Sequence, residues 1–291
     1  MNTELLSVIM PVRNGMPFLK DSVNSILSQS YKNFRFFIVN DASKDDSLIY
    51  LNSLSDNRIM IVENNGKGIA DALNTGLHHV TSKYVAMMDS DDIADVRRFE
   101  KQIDSLENDS ELVLVGTSIK YFSDINFIRS WKVNLPTTDK AIKEGIINGK
   151  YVLSHPTIMM RTEAIRKIGG YNESAFPIYD HDMYLRLSAM GKFTNLNQCY
   201  TYIRIHKESF TNQNQLEITK KLFLLSNGII GNVNLANSFV IKLKYLSARF
   251  YKIGVMKYLH GSKIFWPLYI TLAAFLDIKK GFYHLKNKMV D

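Results

Sequence analysis

Within the first 115 residues, five short apolar runs alternate with stretches whose apolar residues recur at helical spacing, and this rhythm admits few folds. The runs are Ser7–Val12, Arg35–Val39, Ile59–Val62, Tyr84–Met88 and Leu112–Val115. Between them, Pro17 opens a helix through Leu19, Val23, Ile26 and Leu27. Ser43 stands where an N-cap would precede Leu48, Leu51 and Leu54. Gly66 and Gly68 lead into Ile69, Ala72, Leu73 and Leu77, and Phe99, Ile103 and Leu106 share a helical face. Short buried strands in βαβα succession predict an α/β fold, a mostly parallel sheet with helices on both faces. Such sheets bind ligands beyond the carboxyl ends of their strands, so the polar residues there are the first candidates for a site.

The 291 residues are long for one domain and short for two independent ones, which predicts one main core with an appendage. The net charge of +8 is not evenly spread. Residues 216–291 hold 12 Lys and Arg against 3 acids, so +9 sits on this segment and −1 on residues 1–215. The expected organisation is therefore a near-neutral body, 1–215, and a basic, mostly helical C-terminal region, 216–291. A single cysteine, Cys199, excludes an intramolecular disulfide framework and a zinc site built from cysteines. No basic segment precedes the first apolar run, which argues against a targeting signal. The longest uncharged apolar run, Ile264–Leu276, would span about 20 Å as a helix against a hydrocarbon core of roughly 30 Å. An interfacial or buried helix fits it better than a spanning one.

Acids stand at the strand ends. Asp41 follows the second strand, where turn chemistry alone would also account for it. Asp89, Asp91 and Asp92 follow the fourth. Three carboxylates within four residues repel one another unless a cation or hydrogen bonds compensate, and oxygen-only ligands suit Mg²⁺ or Mn²⁺. The absence of a glycine at the sixth position excludes a calcium EF-hand loop. The first strand carries no GxGxxG and the chain no GxxxxGK[ST], so neither a dinucleotide fingerprint nor a P-loop is present.

Several of these positions fall into an ordered set. Ser7-Val8-Ile9-Met10-Pro11, Asn40-Asp41-Ala42-Ser43, Asn74-Thr75-Gly76 and Asp89-Ser90-Asp91-Asp92 are followed by His155-Pro156-Thr157, Gly169-Gly170-Tyr171, Tyr179-Asp180-His181-Asp182 with Leu185-Arg186, and Tyr202-Ile203-Arg204-Ile205-His206. In order and spacing, over roughly residues 5–212, this resembles the nucleotide-sugar glycosyltransferases of family 2, which have the GT-A fold.

The resemblance implies roles. Pro11 and Asp41 fall on the donor site, with Asp41 accepting a hydrogen bond from the donor base; a uracil N3–H needs such an acceptor. Where the family often has two acids, this chain has Asn40 first. Asp89 and Asp91 match the D-x-D motif, the first contacting the donor nucleoside and the later acid holding the metal, Mg²⁺ or Mn²⁺, on the diphosphate. Asp92 is a rival metal ligand. Asp180 matches the base that takes the acceptor hydroxyl's proton during inversion, although Tyr179 replaces the usual preceding Glu. From the residues alone, Asp180 reads equally as a helix N-cap and Asp182 as a first-turn acid; with the resemblance, Asp182 falls beside the acceptor.

His206 is placed with the metal or diphosphate, Arg204 with the phosphates and His155 with the acceptor. A structural histidine accounts for His206 as well, and a turn residue for His155. Lys67, between two glycines, can approach the donor phosphates or simply occupy a tight turn.

The expected activity is inverting, metal-dependent sugar transfer from a nucleoside diphosphate donor, UDP by preference, to a saccharide or lipid-linked saccharide in surface polysaccharide assembly. The basic tail has three readings: a packed amphipathic appendage, an interfacial segment with lysines on anionic lipid, or a nucleic-acid contact. It lacks nucleic-acid-binding signatures, which leaves membrane or packing and predicts a peripheral protein on the cytoplasmic face of the membrane. Two other functions remain: a nucleotidyltransferase, for which Pro11-Val12-Arg13-Asn14-Gly15 makes a poor phosphate loop, and a non-catalytic nucleotide-sugar-binding or scaffold protein.

Overall fold

In the computed structural model, residues 5–64, 66–123 and 126–226 are described. The chain divides into two compact units, one of residues 1–121 and 131–204, the other of 122–130 and 205–291.

The first unit begins with β1 (Leu6–Val12), α1 (Leu19–Leu27), β2 (Phe34–Asp41), α2 (Ser47–Asn52), β3 (Ile59–Asn64), α3 (Ile69–His79) and β4 (Tyr84–Met87). Then come β5 (Ile93–Ala94), α4 (Arg98–Asn108), β6 (Leu112–Ser123), β7 (Asn126–Val133), α5 (Asp139–Ile147), β8 (Met159–Arg161), α6 (Thr162–Lys167), α7 (Tyr179–Leu187) and β9 (Lys192–Arg204). The strands are ordered β3-β2-β1-β4-β8-β6-β9-β5, with β7 paired to β6.

The five sequence-predicted strands are all present. β1 pairs in parallel with β2 and β4, and β2 with β3. Beyond β4 the sheet becomes antiparallel, through β4–β8, β8–β6 and β9–β5. The sheet is thus mixed, with a parallel part that carries the strand ends singled out in the sequence.

Alternation along β1 explains the layers. Leu6, Val8 and Met10 share a core with Leu19, Val23 and Ile26 of α1 and Phe99, Ile103 and Leu106 of α4. Ile9 points to the other face, where α3 lies so close that a Cβ on Gly76 would come within 2.7 Å of its Cγ2. Leu6, Val8, Ile9 and Met10 are all fully buried, which is why the strand is apolar on both faces apart from the buried Ser7. Each such side chain contributes about 1.5–3 kcal/mol by leaving water.

Two local expectations are corrected. Ser43 is not a helix cap: α2 begins at Ser47 after Asp46, and Leu54 lies beyond its end. The Ser43 hydroxyl instead accepts from the backbone N–H of Asn14, so it joins two loops. Asp180 is not an N-cap either, because Ile178 occupies that position and Asp180 lies in the first turn of α7.

In the second unit, α8 (Phe210–Gln213) and α9 (Gln215–Ser226) follow β9. Ile205 N–H donates to Phe122 O at 2.9 Å, and Asn212 Nδ2 donates to the His206 carbonyl at 2.6 Å. No helix among the described residues is long and apolar enough to cross a membrane. The run Ile264–Leu276 and the lysines from Lys242 onward lie outside the described residues.

Candidate active site

The loops after β1 and β2 are stitched together. Gly15 N–H donates to Ser47 Oγ at 2.9 Å and Met16 N–H to Asp45 Oδ2 at 3.0 Å, while Lys44 N–H donates to Asn14 Oδ1 at 2.7 Å. Asp41, 3% exposed, ends β2 beside these loops. Its Oδ1 accepts from Asn64 Nδ2 at 2.7 Å, and Asn64 Oδ1 accepts from Thr75 Oγ1 at 3.1 Å. Arg13 Nη1 reaches the other carboxylate oxygen at 3.4 Å. The carboxylate is therefore aimed by α3 and β3 rather than left in a solvated turn. Pro11 lies beyond the last β1–β4 pair, Ile9 opposite Met87, where those two strands part. Lys67 is exposed between Gly66 and Gly68, whose positive φ values of 72° and 107° make the turn into α3.

Asp89-Ser90-Asp91-Asp92 joins β4 to β5. One ligand atom each from Asp89, Asp91 and Asp92 lies within 4.8 Å of the others, the only such cluster among the described residues. Arg204 pins this turn: its N–H donates to Asp92 Oδ1 at 2.8 Å, its Nε to the Asp91 carbonyl at 2.7 Å and its Nη2 to Asp21 Oδ2 at 3.2 Å. The Ile93–Tyr202 pairing of β5 with β9 brings it there. Its guanidinium also lies 4.7 Å from the Phe18 ring.

Beneath the turn, fully buried Arg98 donates from Nη2 to the carbonyls of Met87 and Ile158, at 2.8 and 3.3 Å. Burial lowers its pKa to about 9, so it is still a cation at neutral pH.

The cluster carries strained charge. Burial holds the Asp92 carboxyl well above the ordinary carboxylate value, and the charges of Asp91 and Asp89 push it further. Burial also raises Asp89, against the pull of His155 and with added repulsion from Asp91 and Asp180. A divalent cation would relieve both. The donor set is all oxygen, and Asp89 Oδ1 is buried without a hydrogen-bond partner, so these residues fit Mg²⁺ or Mn²⁺. Asp91 is half-buried, whereas Asp92 is buried with one oxygen committed to Arg204.

Asp180 is half-exposed, and its Oδ1 accepts from His181 N–H at 2.8 Å. Asp182 pairs with Arg186 one turn on, at 2.7 Å, and Arg186 Nη1 donates to Ile168 O at 2.6 Å. His155 is buried between Tyr171 and Asp89. His206 lies in the second unit.

A family model, Glycosyl transferase family 2, matches residues 7–169, more than half of the chain. The chain belongs to glycosyltransferase family 2. This family 2 enzyme is 35% identical to EpsE of Bacillus subtilis (strain 168) over 213 residues, 70% of this chain and 74% of EpsE. It is 30% identical to WfaP of Escherichia coli, a UDP-Glc:alpha-D-GlcNAc-diphosphoundecaprenol beta-1,3-glucosyltransferase, over 77% of this chain and 86% of WfaP. Among solved structures it is similar to S. aureus TarS 1–349 in complex with UDP-GlcNAc, with a TM-score of 0.61 at 16% identity, covering 95% of this chain and 89% of that one. It is also similar to the mannosyltransferase PcManGT of Pyrobaculum calidifontis in complex with GDP-Man and Mn²⁺, with a TM-score of 0.53 at 15% identity, covering 94% of this chain and 73% of that one. These likenesses establish the GT-A fold, and membership of the family removes the nucleotidyltransferase and scaffold readings.

Two residues that shape the site, Asn64 and Arg98, were not singled out in the sequence, and a third, Tyr171, carried no role there. Asn64 closes β3 and its neighbour Glu63 pairs with Asn40, so its role shows only when β2 and β3 align. Arg98 reads as an ordinary charged residue at a helix start. Tyr171 lay within a motif, and Asn74 explains it: Asn74 Oδ1 accepts from Tyr171 N–H at 2.8 Å and Asn74 Nδ2 donates to Tyr171 O at 2.9 Å.

Proposed function

We propose that this glycosyltransferase moves a sugar, with inversion, from a UDP-sugar to a hydroxyl of a saccharide, free or carried on a lipid, in surface polysaccharide assembly. The observation that carries the reading is the Asp89, Asp91, Asp92 cluster at the end of β4, an arrangement suited to a diphosphate with its cation. The UDP-GlcNAc held by TarS supports a UDP donor, and the diphosphoundecaprenol acceptor in WfaP's name supports a lipid-linked one.

Pro11, Asp41, Lys67 and Asp89 form the donor side, with Asp41 accepting from the base. Asp91 is the principal metal ligand and Asp92 a supporting one. Bound there, Mg²⁺ or Mn²⁺ would supply positive charge against the diphosphate. Arg204 adds positive charge beside Asp91 and Asp92. Asp180 removes the acceptor hydroxyl's proton as that oxygen bonds to the anomeric carbon, and the bond from this carbon to the phosphate oxygen breaks with its electron pair leaving on UDP. Asp182 stands on the acceptor side.

The lysines of 216–291, interleaved with apolar and aromatic residues, would rest on anionic lipid at the cytoplasmic face. Two experiments test these readings. A panel of nucleotide sugars with Mn²⁺, scored for hydrolysis and thermal shift, should give its response with a UDP-sugar; a response confined to another nucleotide would overturn the donor. Flotation with phosphatidylserine vesicles should retain the full chain and lose a variant with Lys242, Lys244, Lys279 and Lys280 changed to Glu. Equal flotation of both would remove the lysines from membrane contact.

A further inference from the structure

His155 is 6% exposed, and its ring is fixed on two sides. The Tyr171 ring packs edge-on at 5.6 Å and the Tyr179 ring at 5.8 Å, with interplanar angles of 70° and 82°. His155 Nε2 is 2.9 Å from the Tyr171 hydroxyl. Its other nitrogen, Nδ1, faces Asp89 Oδ1 at 3.8 Å, too long for a hydrogen bond. Both of these atoms are buried and neither has a hydrogen-bond partner. Asp89 itself is 34% exposed, so one carboxylate edge faces the histidine while the side chain still reaches the open site.

The proton arrangement follows from the chemistry. An ionised carboxylate only accepts, so a bare Nδ1 lone pair aimed at Asp89 would be repelled. Burial, with Asp180 and Asp89 nearby, holds the Tyr171 pKa well above its ordinary value, so the hydroxyl keeps its proton. The consistent assignment has Tyr171 O–H donating to Nε2 and Nδ1–H turned toward Asp89. Tyr171 is in turn held by the side chain of Asn74 at both its N–H and its carbonyl.

We propose that His155, oriented by Tyr171, is a positioning residue for Asp89: when the donor occupies the site, Nδ1–H closes on Asp89 Oδ1 and fixes the carboxylate for its donor contact. This rests on the reading of Asp89 as a donor ligand. It places His155 behind the donor-binding acid, which differs from the acceptor role implied by resemblance.

Paired side-chain replacements separate positioning from packing. Asn places its amide nitrogen near imidazole Nδ1, whereas Gln places its amide near Nε2. With UDP and saturating Mn²⁺ in titration calorimetry, H155N should bind close to wild type. H155Q and Y171F should bind about tenfold more weakly, the scale of a lost charge-assisted hydrogen bond. The donor KM should rise by the same factor with kcat little changed. In an Asp89→Asn background, H155Q should add no further loss.

Equal UDP affinities for H155N and H155Q, or losses that add to that of D89N, would overturn the assignment. Comparing two side chains that both fill the site, each with its melting temperature recorded, keeps folding defects apart. Wild-type protein that binds no UDP would overturn the donor reading and this assignment together; wild-type binding with indifferent His155 variants overturns this assignment alone.

Discussion

Arg204 grips Asp92 and its neighbour through two kinds of atom: its backbone N–H meets the Asp92 carboxylate at 2.8 Å, and its side-chain Nε meets the Asp91 carbonyl at 2.7 Å. The residue thereby holds the shape of the acidic turn from one strand away. Arg204→Gln keeps the first contact and loses most of the second. The concentration of Mn²⁺ for half-maximal transfer should rise about tenfold, the scale of a hydrogen bond to a charged group. The donor KM at saturating Mn²⁺ should stay near wild type. A KM that remains high at saturating metal would instead make Arg204 a direct phosphate contact.

Asp180→Asn keeps the shape of the side chain and removes the base. Transfer should fall by about 10²–10⁴-fold, the range for a general base, while UDP affinity by calorimetry stays within twofold of wild type. Normal turnover in this variant would take the role away from Asp180.

Proton and metal compete at the cluster. The carboxyls of Asp89 and Asp92 have raised pKa values in the fold, burial being the largest cause. Their contribution to metal-free stability is complete below the ordinary carboxylate pKa and is lost as pH rises through the folded values. Mn²⁺ binds the deprotonated form, so the gain in melting temperature on replacing EDTA with Mn²⁺ should widen from pH 5 to pH 8. A gain that is constant across this range would remove these acids as ligands.

Asn64→Ala strips Asp41 of its 2.7 Å donor. The expected loss in UDP binding is about tenfold, for a buried group left without its partner. Thr75→Val, one link further away, should lose less. Equal losses, or none, in isothermal titration would contradict the chain from Thr75 through Asn64 to Asp41.

The parallel part of the fold was legible because its strands are buried on both faces and its helices on one: Leu6, Val8, Ile9 and Met10 are apolar with only Ser7 between them, and α1 shows Leu19, Val23 and Ile26 at helical spacing. The antiparallel part was not. β8 has three residues, Met159–Arg161, and its partners β4 and β6 lie far from it in sequence. Asp89, Asp91 and Asp92 stood out because acids crowded at a strand end have a local pattern, and Asp180 stood out through the family resemblance. Asn64 and Arg98 did not, since each acts on a partner brought close by folding. Ser43 misled because a hydroxyl that caps a helix and one that ties two loops look alike in a sequence.

One helical turn, Asn74-Thr75-Gly76, touches three neighbourhoods. Asn74 clasps Tyr171, Thr75 reaches Asn64, and Gly76 leaves room for Ile9. A substitution in this triplet therefore acts on several parts of the enzyme at once. For an engineer, the triplet is the fixture to leave alone.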